Sequence, residues 1–351
     1  MTEHAGAQMA DLPRAVELQA LLRRGVLCIT CIACSVCMVR FNKYLMHEGR
    51  FPHAFALAAV HTGLATALSL ALFLVCPWMF PAVPVVRMRA PQVMWNMVAI
   101  GAMFSIGVVA STKAYLYSGV ALLQFMKEGN IFLAFMMSCF AGLQQPTTTR
   151  VLVLVWIVGS AALAGRGDMH LSAVGIGLQL VAQVAEATRF VLSEFMLKGR
   201  GFKLDPLTFT LLSAPVCFAG LTFGAVLTLD TEVGIAFCAW WRPILISGVL
   251  AFALNIVNAM LLRELSVVGL FMCGLVKDFS LVALSSAFFG ESVVGLQWVA
   301  FGSAMCGVCA WCWINTWPEE QPCKRSKAEL QEEHTPLFVG KFVAAPRSHA
   351  V

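Results

Sequence analysis

Two lysines, each followed at once by an acid, interrupt long apolar stretches of this chain: Lys127-Glu128 in SGVALLQFMKEGNIFLAF and Lys277-Asp278 in SVVGLFMCGLVKDFSLVALSSAFF. An ionisable residue at membrane depth costs roughly 2.5 kcal/mol or more, so it marks a functional site by default. An ammonium group is a compact three-donor cation suited to phosphate oxygens, and two of them converging would hold an anionic small molecule. The bland alternative is structural ion pairing across helices. Residues adjacent on a helix do not face each other, so Glu128 need not neutralise Lys127, nor Asp278 Lys277. Glu128 and Asp278 are then candidates for gating or coupling. Arg189 is a third cation in an apolar run, with Glu186 three residues earlier at a spacing that allows pairing. Arg189 is a candidate substrate contact, and Glu186 a candidate coupling acid.

Weaker candidates surround these. Lys113, Tyr115 and Tyr117 fall where one apolar run gives way to the next; they suit anchoring at a membrane edge or, in the sharper reading, a gate or specificity contact. His61 reads as a hydrogen-bonded core histidine ahead of a proton relay. Asn255 and Asn258 suit bonds between helices or contacts to a sugar hydroxyl. Glu194 and Lys198, at i and i+4, suffice as a solvated helix pair. Cys28, Cys31, Cys34 and Cys37, echoed by Cys306, Cys309 and Cys312, form stripes of small polarizable residues suited to helix packing. Four cysteines spread over about 13.5 Å of helix do not converge on a metal. The zinc-hydrolase pattern HExxH, the nucleophile elbow GxSxG and the phosphate-binding loop of nucleotidases do not occur, which disfavours an intramembrane enzyme.

The elements that must position these residues are apolar helices. Of the 351 residues, 59% are hydrophobic and 12% charged, against about 25% charged in soluble domains. Runs of membrane-spanning length recur at residues 25–41, 53–76, 92–112, 116–143, 151–165, 171–197, 206–229, 243–262, 266–290 and 293–317. The fifth is the weakest, bracketed by Thr147, Thr148, Thr149 and Arg150 and by Gly165-Arg166-Gly167-Asp168. With a cytosolic N-terminus, fifteen Lys and Arg fall on the cytosolic face and six on the other, with Lys127, Arg189 and Lys277 between. That bias follows the positive-inside rule. The formal charge of +5 is spread along loops and tails, and so argues for orientation in a bilayer and against nucleic acid as a partner.

The halves echo each other. Phe104, Val109, Ser118 and Val120 each precede an identical residue by 148 positions (Phe252, Val257, Ser266, Val268), and Lys127 precedes Lys277 by 150. A duplicated unit with one small insertion explains this, and five spans per copy force the copies to insert in opposite directions. Inverted repeats place substrate near the bilayer midplane and alternate access by rocking one half against the other. A transporter is the leading class.

The residues now resemble a known family, the triose-phosphate and nucleotide-sugar translocators of the drug/metabolite transporter superfamily. The resemblance covers about residues 25–317. It rests on Asn42-Lys43-Tyr44, then Phe51-Pro52-His53-Ala54 and His61; on Ala114-Tyr115-Leu116 and Gln124-Phe125-Met126-Lys127; and on Glu186-Ala187-Thr188-Arg189-Phe190-Val191-Leu192. Lys198-Gly199, Lys203-Leu204-Asp205-Pro206-Leu207-Thr208 and Val276-Lys277-Asp278 complete the succession. It implies ten helices in two inverted halves, antiport of a phosphorylated sugar or nucleotide-sugar, and Lys127 and Lys277 facing a central pocket. Plastid triose-phosphate carriers tend to follow the second lysine with arginine. Asp278 in that place resembles the endomembrane branch, whose substrates are mainly nucleotide-sugars. The family also tends to place a small residue after the first lysine and a proline four beyond it, where this chain has Glu128 and Ile131. Gly129 remains as a source of bending.

The expectation is an all-α membrane protein of ten transmembrane helices as two inverted five-helix repeats. Residues 1–22 would be a cytosolic tail, 23–167 and 168–317 the repeats, and 318–351 a disordered cytosolic tail. Residues 1–22 read as neither signal nor transit peptide, which suggests the Golgi or endoplasmic reticulum with both termini cytosolic. The substrate-binding set is Lys127, Lys277, Arg189, Lys113 and Tyr115, and the gating or coupling set Glu128, Asp278 and Glu186. The expected partners are an anionic small-molecule substrate, its counter-substrate and the lipid bilayer, with no cofactor and no metal; a homodimer stays open. The alternatives are a same-fold exporter of a neutral or cationic metabolite, with Glu128 and Asp278 as the working charges, and a non-transporting receptor or scaffold.

Overall fold

A computed structural model describes residues 2–164, 172–199, 203–226, 231–289 and 295–316. Among them the regular structure is entirely helical. The helices are α1 (Thr2–Leu45), α2 (Ala54–Val75), α3 (Val83–Met88), α4 (Ala90–Ala114), α5 (Val120–Glu128), α6 (Asn130–Phe140), α7 (Thr148–Ala164), α8 (Ala173–Lys198), α9 (Pro206–Val226), α10 (Thr231–Glu264), α11 (Val267–Phe289) and α12 (Gly295–Thr316), with one 3-10 turn at Pro77–Met79. Within the described residues, the body of each apolar run falls on helix. The backbone of the expected N-terminal tail continues α1 back to Thr2. The tail at 318–351, Arg166 and the boundary between the expected repeats lie outside the described residues.

Among the described residues, seven helices are long and apolar enough to cross a bilayer, over Gln19–Leu45, Ala54–Val75, Ala90–Ala114, Pro206–Val226, Glu232–Glu264, Val267–Leu284 and Gly295–Asn315. The sequence suggests ten, and the remaining three fall short for different physical reasons. The run at 116–143 is not one helix: it divides at Gly129 into α5 and α6, each too short to span alone. α7 is apolar but only 17 residues long. α8 has the length but carries Glu186, Arg189, Glu194 and Lys198.

Local signals set several helix ends. Asp205 caps α9, its carboxylate accepting the Thr208 N–H at 2.9 Å and the Thr208 hydroxyl at 2.6 Å, and Pro206 takes the first helical position, where no N–H is needed. The same carboxylate accepts the Ala82 N–H at 3.1 Å and so ties α9 to the start of α3. Thr147 accepts the Arg150 N–H at 3.4 Å, so the polar residues before the fifth run form the cap of α7. α10 bends at Trp240, whose φ of −114° and ψ of 19° leave the helical region three residues before Pro243.

The helices pack in matched pairs. α4 lies against α8 and α1 against α10; α4 also meets α9 as α10 meets α2; α6 meets α8 as α11 meets α1. α2 packs on α9, α7 on α12 and α6 on α11. Small residues permit the closest approaches: a Cβ at Gly101 would sit 2.6 Å from Val216 Cγ1 and 3.1 Å from its backbone carbon, so α4 and α9 come together at this glycine. Buried Phe135, Leu154, Ile157, Met272 and Trp311 join α6, α7, α11 and α12 into one apolar cluster, and a second joins α1, α6, α8, α10 and α11.

Candidate functional site: a cavity pair around Arg189

One face of α8 carries Gln179, Gln183, Glu186, Arg189 and Ser193, spaced four, three, three and four apart, which is the spacing of a single helix stripe. Gln179, Gln183 and Ser193 are buried, Glu186 and Arg189 partly so. All five line cavities. The polar stripe faces inward, while Leu180, Val181 and Val184 between these residues are exposed, as a lipid-facing surface would require.

The stripe supports the break between α5 and α6. Gln183 Nε2 donates to the Met126 carbonyl, and Glu186 Oε2 accepts from Asn130 Nδ2 at 2.7 Å. A helix end leaves its last carbonyls without intrahelical partners; here Gln183 supplies one. Gly129 bonds back to Met126 in a tight turn at 3.1 Å. Lys127 stands in the last turn of α5, beside the negative end of that short helix. Its Nζ donates to the Tyr115 hydroxyl at 3.0 Å and lies 5.1 Å from that ring's centroid.

Two cavities meet at Arg189. The larger, about 300 Å³, is lined by Lys127, Glu186, Arg189, Gln179, Ser111 and Thr112 among others. The smaller, about 150 Å³, is lined by Arg189, Thr62, Thr210, Ser213, Asn255 and Asn258 together with Phe104, Phe190 and Phe209. The Arg189 guanidinium carbon lies 3.9 Å from the Phe190 ring centroid and 5.1 Å from that of Phe104. Stacking on aromatic faces is a favoured environment for this planar, weakly hydrated cation. The pairing of Arg189 with Glu186 suggested by their spacing is not formed: no carboxylate lies within 4 Å of Arg189 among the described residues, because Asn130 holds the Glu186 carboxylate. Gln179, 1% exposed, leaves its Oε1 without a partner at the wall of the larger cavity.

Lys277 is elsewhere. Its Nζ is 3.0 Å from Asp278 Oδ1, so the expectation that adjacent residues on a helix leave each other free does not hold at this step. Long side chains bend toward each other even where their Cα–Cβ bonds diverge, and an apolar setting rewards the contact. Glu128 is within electrostatic reach of both Lys277 and Asp278. The structure therefore brings Lys127, Glu186 and Arg189 to one cavity wall, links Tyr115 to it through Lys127, and groups Lys277, Asp278 and Glu128 separately. Lys113 is exposed in the last turn of α4.

Other candidates find defined partners. His61 Nε2 is 2.8 Å from Ser247 Oγ, a bond from α2 to α10. Asn258 accepts from Cys31 at 3.2 Å, from α1 to α10. Cys28 and Cys273 bring their sulfurs within 3.5 Å across α1 and α11. Glu194 and Lys198 are not the solvated pair their i, i+4 spacing suggests. Glu194 is 3% exposed; its Oε1 accepts from Lys198 at 3.0 Å and its Oε2 from the Val267 N–H at 2.9 Å, while Lys198 also donates to the Leu265 carbonyl. The pair pins the end of α8 to the start of α11. Sequence reasoning passed over Gln179, Gln183, Asn130, Ser193, Thr210 and Ser213; the regular stripe on α8 was the signal available for three of them.

The apolar helices mark a multi-pass membrane protein, and its family and relatives point to a transporter and not an enzyme. The family model for the triose-phosphate transporter family matches residues 22–312, and the chain belongs to that family. It is 27% identical over 279 residues to a probable sugar phosphate/phosphate translocator of Arabidopsis thaliana, covering 78% of each chain. A second Arabidopsis protein of the same description is 29% identical over 285 residues, covering 79% of this chain and 74% of the relative. A protein of known crystal structure superposes with a TM-score of 0.62 at 14% identity, covering 82% of this chain and 96% of the other, which is a likeness of fold.

Proposed function

We propose that the protein exchanges a phosphorylated sugar for a second anion across an endomembrane, with Arg189 and Lys127 holding the phosphate. The observation that carries this is the Arg189 guanidinium. It lies where the two cavities meet and has no carboxylate within 4 Å among the described residues, so its charge is available to an anion. A planar guanidinium can grip two phosphate oxygens at once, and a nearby ammonium adds a point charge. The interruption at Gly129 supports the same location, because transporters build their sites at broken helices in the middle of the membrane. The relatives' descriptions favour a sugar phosphate over a nucleotide-sugar as cargo.

Alternating access would run between two inverted five-helix repeats, residues 23–167 and 168–317. The pairing of helices supports this. With α5 and α6 counted together and α3 left out, the halves correspond as α1 to α8, α2 to α9, α4 to α10, α5–α6 to α11 and α7 to α12. Under that exchange α4 on α8 becomes α10 on α1, α4 on α9 becomes α10 on α2, and α6 on α8 becomes α11 on α1, all three of which occur. Lys277, Asp278 and Glu128 then form a charge group for gating or coupling, with Glu186 holding Asn130 at the break and Tyr115 and Lys113 at the mouth. Both termini would be cytosolic, as the basic-residue bias indicates.

Purified protein in liposomes tests the reading. Uptake of labelled inorganic phosphate should depend on a sugar phosphate trapped inside, and Arg189→Ala should lower it by two orders of magnitude or more. Absence of anion exchange by the unsubstituted protein would refute the proposal.

A further inference from the structure

Two thiols meet where α1 packs on α11. The Cys28 and Cys273 sulfurs lie 3.5 Å apart, and both side chains are unbridged and partly exposed. A disulfide holds its sulfurs about 2.05 Å apart, so a sulfur movement of about 1.5 Å closes the bond. The helices are already side by side, and side-chain rotation supplies such a movement. Cys28 stands three residues into the apolar run that begins at Gly25 and five beyond Arg23. The exposed Arg23 guanidinium binds Glu264 at 2.7 Å at the end of α10, which marks the polar edge of the bundle. Cys273 lies within the first two turns of α11. The pair is therefore shallow, within reach of a small neutral oxidant from water.

Its neighbours connect it to the site. One turn along α1 from Cys28, Cys31 donates to Asn258, on the wall of the smaller cavity, at 3.2 Å. One turn along α11 from Cys273 is Lys277, which holds Asp278. When the halves are exchanged as above, the contact of α1 with α11 corresponds to that of α8 with α6, where Glu186 holds Asn130 at the helix break.

We infer that Cys28 and Cys273 form an oxidative modification site, at which a peroxide joins them in a disulfide that ties the two halves together and stops exchange. The effect on exchange rests on the transport reading above; formation of the bond does not. One thiol, as its thiolate, attacks the peroxide O–O bond and takes one oxygen as a sulfenic acid, while the other oxygen leaves as water with the thiol proton. The second thiol then attacks that sulfur, forms the S–S bond and releases the second water. Two thiols are oxidised and one peroxide is reduced. Rocking one half against the other parts helices of different halves, and a covalent tie from α1 to α11 prevents this. A dithiol reductant reverses it by thiol–disulfide exchange.

The experiment uses liposomes carrying the full chain, loaded with phosphate, with labelled phosphate outside and hydrogen peroxide as the oxidant. After the remaining thiols are capped with N-ethylmaleimide, mass spectrometry should find the Cys28 and Cys273 peptides joined. Uptake should fall about tenfold or more and return with dithiothreitol. Cys28→Ala and Cys273→Ala should each keep basal exchange within about threefold and lose the reversible inhibition; where an alanine variant fails to fold, serine at that position replaces it. Oxidation of other cysteines with no joined peptide would overturn the site. A joined peptide with undiminished exchange would overturn the lock, and so would reversible inhibition that persists in both variants, because other thiols then carry it. If the reduced, unsubstituted protein exchanges no phosphate, the transport reading fails on its own account and the lock falls with it, while the joined peptide still decides the modification site.

Discussion

At the scale of single residues, the charges divide by whether a partner already holds them. Lys198 and Glu194 hold each other and two backbone groups, and their task is structural. Glu194→Ala leaves Lys198 without its counter-charge and the Val267 N–H without an acceptor, and should cost about 3 kcal/mol, seen as a lower unfolding temperature in detergent. Arg189 is the opposite case, stacked on Phe190 with no carboxylate within 4 Å among the described residues. Arg189→Lys keeps the charge but loses the planar fork, so it should restore only part of the exchange that Arg189→Ala removes. The lone cations were legible because a charge stands out in an apolar run. The amides were not. Gln183 and Asn130 matter through Met126 and Glu186, partners more than fifty positions away that no local pattern joins, and the Lys277–Asp278 pair depends on side-chain conformations that spacing does not specify.

At the scale of elements, the break between α5 and α6 organises the site. Apolarity runs unbroken from 116 to 143, which is why the sequence suggests one helix there; Gly129 and the polar support from α8 divide it. A Cβ at Gly129 would meet the Met126 carbonyl oxygen at 3.1 Å, tighter than ordinary van der Waals contact, and would press on the turn that places Lys127. Gly129→Ala should therefore lower the exchange rate several-fold while the protein still purifies as a folded monodisperse species. Gln183→Leu removes one of the two donors to the Met126 carbonyl, leaving the Gly129 N–H, and should destabilise by about 0.5–1.5 kcal/mol, measured by thermal unfolding. The ends of α7 and α9 were more legible, since Thr147 and Asp205-Pro206 are capping residues in sequence as in space.

At the scale of the whole molecule, the packing of α4 on α8 and α9 and of α6 on α8 has its counterpart in α10 on α1 and α2 and α11 on α1, and a few residues of the sequence recur at a constant offset. That offset and the apolar runs made the all-helical class legible. The depth of the cavities was not, because it arises where α2, α4, α8, α9 and α10 converge, and each of these helices alone is only an apolar rod. Gly101 lies at the contact of α4 with α9. Gly101→Val forces them apart at an overpacking cost of about 1–3 kcal/mol, and should lower the yield of folded protein and its unfolding temperature together. The central claim is that Arg189 is the anion anchor of a sugar phosphate exchanger, and one measurement reaches it most directly: counter-exchange of labelled phosphate against trapped sugar phosphate in liposomes, comparing the unsubstituted chain with a folded Arg189→Ala variant. Exchange is expected in the first and a loss of two orders of magnitude or more in the second. Undiminished exchange without Arg189 would contradict it.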